Sequence, residues 1–155
     1  MKKGSSSLLL LDVNVLLALA WPNHQFHWAA TKRLARGKER WATCALTQLG
    51  FIRLSSNPAV VGVPKSPWEA ASILALLTQD SRHVYWDSLP SPATRMFTES
   101  LQLILGSKQV IDSYLLTLAV RSHATLLTFD FRLASFAQAE GAIEVLVESP
   151  EGSVG

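Results

Sequence analysis

The chain alternates two hydrophobic patterns. Short stretches at 8–11 (LLLL), 41–43 (WAT), 83–86 (HVYW), 124–128 (ATLLT) and 143–147 read as strands. The LLLL run has no polar gap, as expected of a strand covered on both faces in a parallel sheet. Between these stretches, apolar residues recur at helical spacing. A short helix is predicted over 14–20, stopped near Trp21-Pro22. A second is predicted over 24–37, with Phe26, Ala30 and Leu34 inward and Gly37 at its end. A third, over 46–55, places Leu46, Leu49, Ile52 and Arg53 near one side; Asn57-Pro58 ends it and 59–65 reads as loop. Ser66-Pro67-Trp68-Glu69 is a strong helix start: Ser as N-cap, Pro at N1 and Glu at N3 closing a capping box. Ala70, Ile73, Leu74 and Leu77 of that helix face inward. Further helices are predicted from Ser91 to about Leu105, over 109–121 and over 131–138. In the 109–121 helix, Val110, Ile111, Tyr114, Leu115, Leu118 and Ala119 form a wide apolar face. Strands that alternate with helices predict an α/β sandwich around a mainly parallel sheet of about five strands.

Composition narrows this picture. The chain has 155 residues, enough for one domain with its own core, predicted at about 8–147 between loose ends. It is 48% hydrophobic and 17% charged, hence folded rather than disordered. A single cysteine, Cys44, excludes a disulfide scaffold and fits a reducing cytoplasm. No apolar run reaches the roughly 18–20 residues of a membrane span. Lys2 and Lys3 before an apolar run resemble a secretory signal, but Asp12 and Asn14 interrupt that run. The segment is read as strand and helix instead.

A net charge of +2 is compatible with a nucleic-acid partner without demanding one. Lys32, Arg33, Arg36, Lys38 and Arg40 crowd the end of the second helix and read first as a solvated face, with a contact for RNA phosphates or an acidic partner as the alternative. His24 and His27 are spaced HxxH on a predicted helix; with no partner at matching spacing they read as surface imidazoles. Of Trp21, Trp28, Trp41, Trp68 and Trp86, most are expected in the core or in a dimer contact.

The chemistry lies in the acids. Asp12 and Asp130 each follow a buried strand, where open parallel sheets bind ligands. Asp112 opens the helix before the fourth strand, so all three can converge on one sheet edge. Each alone has a plain explanation as a helix cap or a dipole partner. Three converging carboxylates would repel one another unless a cation stood between them, and oxygen donors suit Mg²⁺ or Mn²⁺.

Four segments in order, LLLLDVNVLLAL, WATCALTQLGFIRLSSNP, QVIDSYLLTLA and LLTFDFRLA, resemble PIN-domain ribonucleases, specifically VapC-type toxins of toxin–antitoxin pairs. The resemblance spans roughly Leu8 to Val147. It implies a three-layer α/β/α sandwich and Mg²⁺- or Mn²⁺-dependent endonucleolytic cleavage of RNA, tRNA among the substrates. The family's metal-binding and catalytic acids fall on Asp12, Asp112 and Asp130, with Asn14 and Thr128 at supporting polar positions. A homodimer and a VapB-type antitoxin that covers the site are also implied. One departure is Gln48, where many relatives carry glutamate; the expected role is second-shell support of the metal. Gln48 also motivates the rival reading, a catalytically weak PIN domain that binds RNA or a protein without cutting. A haloacid-dehalogenase-type phosphotransferase would want a second aspartate where Asn14 stands.

Overall fold

The computed structural model describes residues 8–104, 106–136 and 141–146. Among them, five strands form one sheet: β1 (Leu8–Leu11), β2 (Arg40–Cys44), β3 (His83–Trp86), β4 (Thr125–Thr128) and β5 (Ile143–Val145). All neighbours are parallel, in the order β3-β2-β1-β4-β5. The helices are α1 (Val13–Ala20), α2 (His27–Arg36), α3 (Ala45–Ser55), α4 (Pro58–Val61), α5 (Pro67–Leu77), α6 (Arg95–Ser100) and α7 (Val110–Arg121).

The unbroken apolar run of β1 is explained by two cores. Leu9 and Leu11 point into one, with Val15, Leu16, Leu34, Trp41, Phe51 and Leu74. Leu10 points into the other, with Phe97, Tyr114, Leu115, Leu118 and Leu126. Alternating side chains of a central strand thus feed opposite layers. The expected α/β/α sandwich is observed. Among the described residues, no helix is long and apolar enough to cross a membrane.

Several boundaries differ from expectation. The predicted loop at 59–65 contains α4, because Asn57 accepts from the Ala59 N–H and Pro58 opens the turn. α2 starts at His27, since His24 Nδ1 accepts from the Phe26 N–H and holds a preceding turn. α6 starts at Arg95 rather than Ser91: the Ser91 hydroxyl accepts from the Ala93 N–H and its carbonyl from the Thr94 N–H, closing a turn first. A 3-10 turn at Ser107–Gln109 leads into α7. The predicted helix over 131–138 is a 3-10 segment, Phe131–Phe136. Its last residues, the end near Leu105, Val147 and the predicted loose ends lie outside the described residues. The capping box of α5 forms as predicted, with Ser66 and Glu69 bonded reciprocally.

Other corrections concern side chains. Val110, Ile111 and Leu49 are exposed, so the apolar face of α7 begins only at Tyr114. Arg33 is buried rather than solvated, in ion pairs with Glu39 and Glu144. His24 and His27 are half-buried and each hydrogen-bonded; His27 Nδ1 lies 2.7 Å from the Ala18 carbonyl oxygen. Of the tryptophans, Trp41 is buried while Trp28 and Trp68 are exposed.

Candidate active site

The chain runs from β1 outward to β2 and β3, then returns to β4 on the other side of β1. The carboxyl ends of β1 and β4 therefore flank the point where strand order reverses, the usual place for a ligand in open α/β sheets. Leu11 and Leu127 are in register, so the residues after each strand emerge side by side. Those residues are Asp12 and the segment Thr128-Phe129-Asp130.

Thr128 joins them. Its hydroxyl donates to Asp12 Oδ2 at 2.7 Å. It accepts from Asn14 Nδ2 at 3.2 Å and from the Asp130 N–H at 3.0 Å. One donor and two acceptor positions are then all used. Asn14 Oδ1 accepts from the Phe129 N–H, and Asp12 Oδ1 from the Val13 N–H at the start of α1. Asp12 is 7% exposed, a carboxylate locked at both oxygens. Thr128 thus contacts Asp12 and Asp130 directly, and Asn14 reaches them only through Thr128.

Asp112 sits half-buried in the first turn of α7. Together with Asp130 it lines a cleft of about 440 Å³, whose other walls include Ser107, Lys108 and Arg132. Electrostatics tie the three acids together. Burial pushes the Asp12 carboxyl above its usual range and the Asp130 charge adds to this, against the Thr128 and Val13 hydrogen bonds. The Asp112 carboxyl is pushed up to about 6, first by burial, then by the charges of Asp12 and Asp130. Asp130 moves the other way, held low by Arg132. That arginine was not anticipated. Its Nε and Nη2 grip Asp130 Oδ1 and Oδ2 at 2.9 and 3.0 Å. The only sequence signal was a cation two residues after the acid.

Gln48 lies in the first turn of α3, and α3 approaches α1 closely: a β-carbon on Gly50 would stand 2.9 Å from Val13 Cγ2. Gln48 Nε2 donates to Thr43 Oγ1 at 2.9 Å, and Thr43 Oγ1 lies 2.7 Å from His83 Nε2. The amide nitrogen is therefore committed to Thr43.

Among the described residues, no three His, Cys, Asp or Glu side chains are gathered closely enough to hold a metal ion as they stand. The donor set nevertheless fits a hard divalent cation. It is all oxygen, and two of its carboxylates carry repulsion that a cation would relieve. Mg²⁺ keeps several waters and needs only one or two carboxylates besides substrate phosphates.

Comparison with known proteins gives a consistent result. The family model described as PIN domain matches residues 9–139. Ribonuclease VapC39 of Mycobacterium tuberculosis is 39% identical over 149 residues, which cover 88% of this chain and 98% of the relative. Ribonuclease VapC38 of the same organism is 36% identical over 132 residues, covering 84% and 91%. A toxin–antitoxin complex from Klebsiella pneumoniae superposes with a TM-score of 0.60 at 16% identity, covering 91% of this chain and 99% of the other. VapBC2 from Rickettsia felis, bound to a DNA fragment from its promoter, gives 0.60 at 17%, covering 90% and 99%. At that identity the structural likeness speaks for the fold.

Proposed function

The chain belongs to the PIN-domain family, and from that premise we propose that it is a divalent-metal-dependent endoribonuclease, the toxin of a toxin–antitoxin pair. The observation that carries this reading is the Thr128 hydroxyl, which binds Asp12 and the Asp130 backbone at the strand switch point beside an acid-lined cleft. So specific a polar knot between residues 116 apart in sequence has no role in packing that a valine would not fill.

Asp12, Asp112 and Asp130 are the residues that would hold Mg²⁺ or Mn²⁺. When bound, the ion polarises a phosphodiester and makes a coordinated water more acidic. Asp12 stays in one orientation, held by the Val13 N–H and the Thr128 hydroxyl. Asp112, half-buried in the first turn of α7, stands on the cleft wall beside Asp130, where it would orient the attacking water. Asn14 orients Thr128 and, through it, Asp12. Gln48 keeps the supporting role that the family resemblance gives it, with its amide nitrogen held by Thr43.

A VapB-type antitoxin is the partner in this reading. Support comes from the structural neighbours, a toxin–antitoxin complex and a VapBC pair. A homodimer belongs to the same reading, supported by exposed Leu49 of α3 and Trp68 and Leu76 of the adjacent α5. The test is cleavage of a total tRNA pool with Mg²⁺, Mn²⁺ or EDTA, beside Asp12→Ala. Cutting that requires metal and disappears in the variant supports the nuclease. A folded protein that binds RNA without cutting it favours the second reading, a binding-only PIN domain, for which Gln48 in place of an acid is the supporting feature.

A further inference from the structure

Arg132 stands in a position that the acids alone do not explain. Its backbone is fixed: the Arg132 N–H donates to Asp130 Oδ1, the Leu133 N–H donates to the Asp130 carbonyl, and Leu133 is buried. Its side chain is 73% exposed and reaches back to grip both Asp130 oxygens. A fixed Cα with a solvent-exposed guanidinium allows the head to move while its anchor stays. The same guanidinium lines the cleft with Asp112, Ser107 and Lys108. Two cations, Arg132 and Lys108, therefore line the cleft together with the acids Asp112 and Asp130. A planar fork of donors that fits a carboxylate fits a phosphate equally well.

We propose that Arg132 is the phosphate-binding residue of this site, and that Asp130 holds it in place when RNA is absent. In the RNA-free protein the guanidinium neutralises Asp130. A divalent cation held at the Asp130 oxygens would displace Arg132, leaving its guanidinium free beside the cleft that it lines. The guanidinium then binds a phosphodiester oxygen. The pair thus acts as an exchange: one anion partner, Asp130, is given up for another, the RNA phosphate. This inference rests on the nuclease reading and deepens it, by naming the residue that couples metal occupancy to substrate binding.

The test uses the full chain and two substitutions, Arg132→Ala and Arg132→Lys. Mn²⁺ alone is titrated calorimetrically. Binding of a short fluorescein-labelled phosphorothioate RNA is followed by anisotropy in Mn²⁺ across a salt series. Circular dichroism checks the fold, which an exposed side chain should leave intact. In Arg132→Ala, Mn²⁺ binds about two- to fivefold tighter, the scale of one exposed ion pair removed. RNA binds more weakly, and its log–log salt slope falls by about 0.7, the value for one lost single-strand phosphate contact. Arg132→Lys keeps the charge but loses the fork; it is intermediate for Mn²⁺ and close to the parent for RNA. An arginine that only pairs with Asp130 would change the Mn²⁺ affinity and leave the RNA salt slope unmoved.

Unchanged Mn²⁺ affinity in both variants, or an unchanged RNA slope in Arg132→Ala, overturns the proposal while leaving the nuclease intact. Failure of the parent protein to bind Mn²⁺ overturns the proposal together with the reading beneath it.

Discussion

Two clusters of charge in this protein are built from similar groups and behave in opposite ways. At one, Arg33 of α2 is 8% exposed and bidentate to two glutamates. Glu39 lies before β2 and Glu144 on edge strand β5, so the arginine ties a helix, a loop and the sheet edge together. A β-carbon at Gly37 would collide with both the Arg33 guanidinium and the Glu39 carboxylate, which accounts for a glycine there. Each charge is met, Glu39 is held below its usual range, and the Arg33 guanidinium is held firmly protonated. At the other cluster, three carboxylates influence one another and the exposed Arg132 pairs with Asp130. Two of them are pushed toward the protonated form. Matched charge ties elements together, whereas unmatched charge weakens the fold and, in the reading proposed above, is kept for a cation.

The sharpest break between the two regions is expected from Asp12→Asn. Cleavage should fall by at least about 100-fold, the scale of one acid–base or metal-positioning group. Stability at neutral pH should change little, because a buried charge is removed while the single amide oxygen can accept from only one of the Val13 N–H and the Thr128 hydroxyl. Urea denaturation alongside initial cleavage rates measures both; a large loss of stability would mean that Asp12 is structural.

Arg33→Ala should give the reverse pattern. It leaves two glutamates facing each other, so unfolding free energy should drop by about 2–3 kcal/mol, less than a fully buried pair because the glutamates are partly solvated. Cleavage per folded molecule should stay within about twofold. If activity fell while stability held, the separation of roles would be wrong.

The two regions also respond oppositely to pH. Asp112 titrates at about 6 when folded against a usual 3.8, so its charged form destabilises the fold. That penalty is absent below the unfolded value, grows as pH rises toward 6, and is complete above it. Asp112→Asn should therefore raise stability at about pH 7.5, by about 1 kcal/mol after allowing for solvent screening, and change little at about pH 4. Glu39 runs the other way: its contribution is present above the usual 4.5 and is lost as pH falls through its depressed folded value. Thermal midpoints over a pH series would reveal the two trends.

The smallest effect is expected from Gln48→Glu. An added carboxylate at the position where the resemblance implies an acid should tighten Mn²⁺ binding by about three- to tenfold, the scale of one partly screened charge. Calorimetry that shows no change would place Gln48 outside the site's influence and leave it an anchor for Thr43.

What was legible in the sequence follows from what is local. Asp12 and Asp130 could be placed because each directly follows a run that reads as a buried strand. Asn14 and Thr128 were named through the family resemblance, and the structure bonds them to each other and, through Thr128, to the acids. Arg33 was misread because Glu144 lies 111 residues away, so a buried cation looked like part of a solvated run. Arg132 was passed over because its partner is found only when the chain turns back on itself within two residues. α4 escaped because four residues are too few for a periodic pattern, and only the Asn57-Pro58 cap marks it. α6 was placed too early because Ser-Pro opens turns as readily as helices.

The most direct test of the central claim is the thermal midpoint with and without Mn²⁺, for the parent protein, Asp12→Asn and Arg33→Ala. A cation that completes the acid edge should stabilise the parent by about 2.7 kcal/mol at a hundredfold excess over its dissociation constant. Arg33→Ala should keep that shift from a lower starting point, and Asp12→Asn should lose most of it. Equal shifts in all three proteins, or none in the parent, would contradict the account.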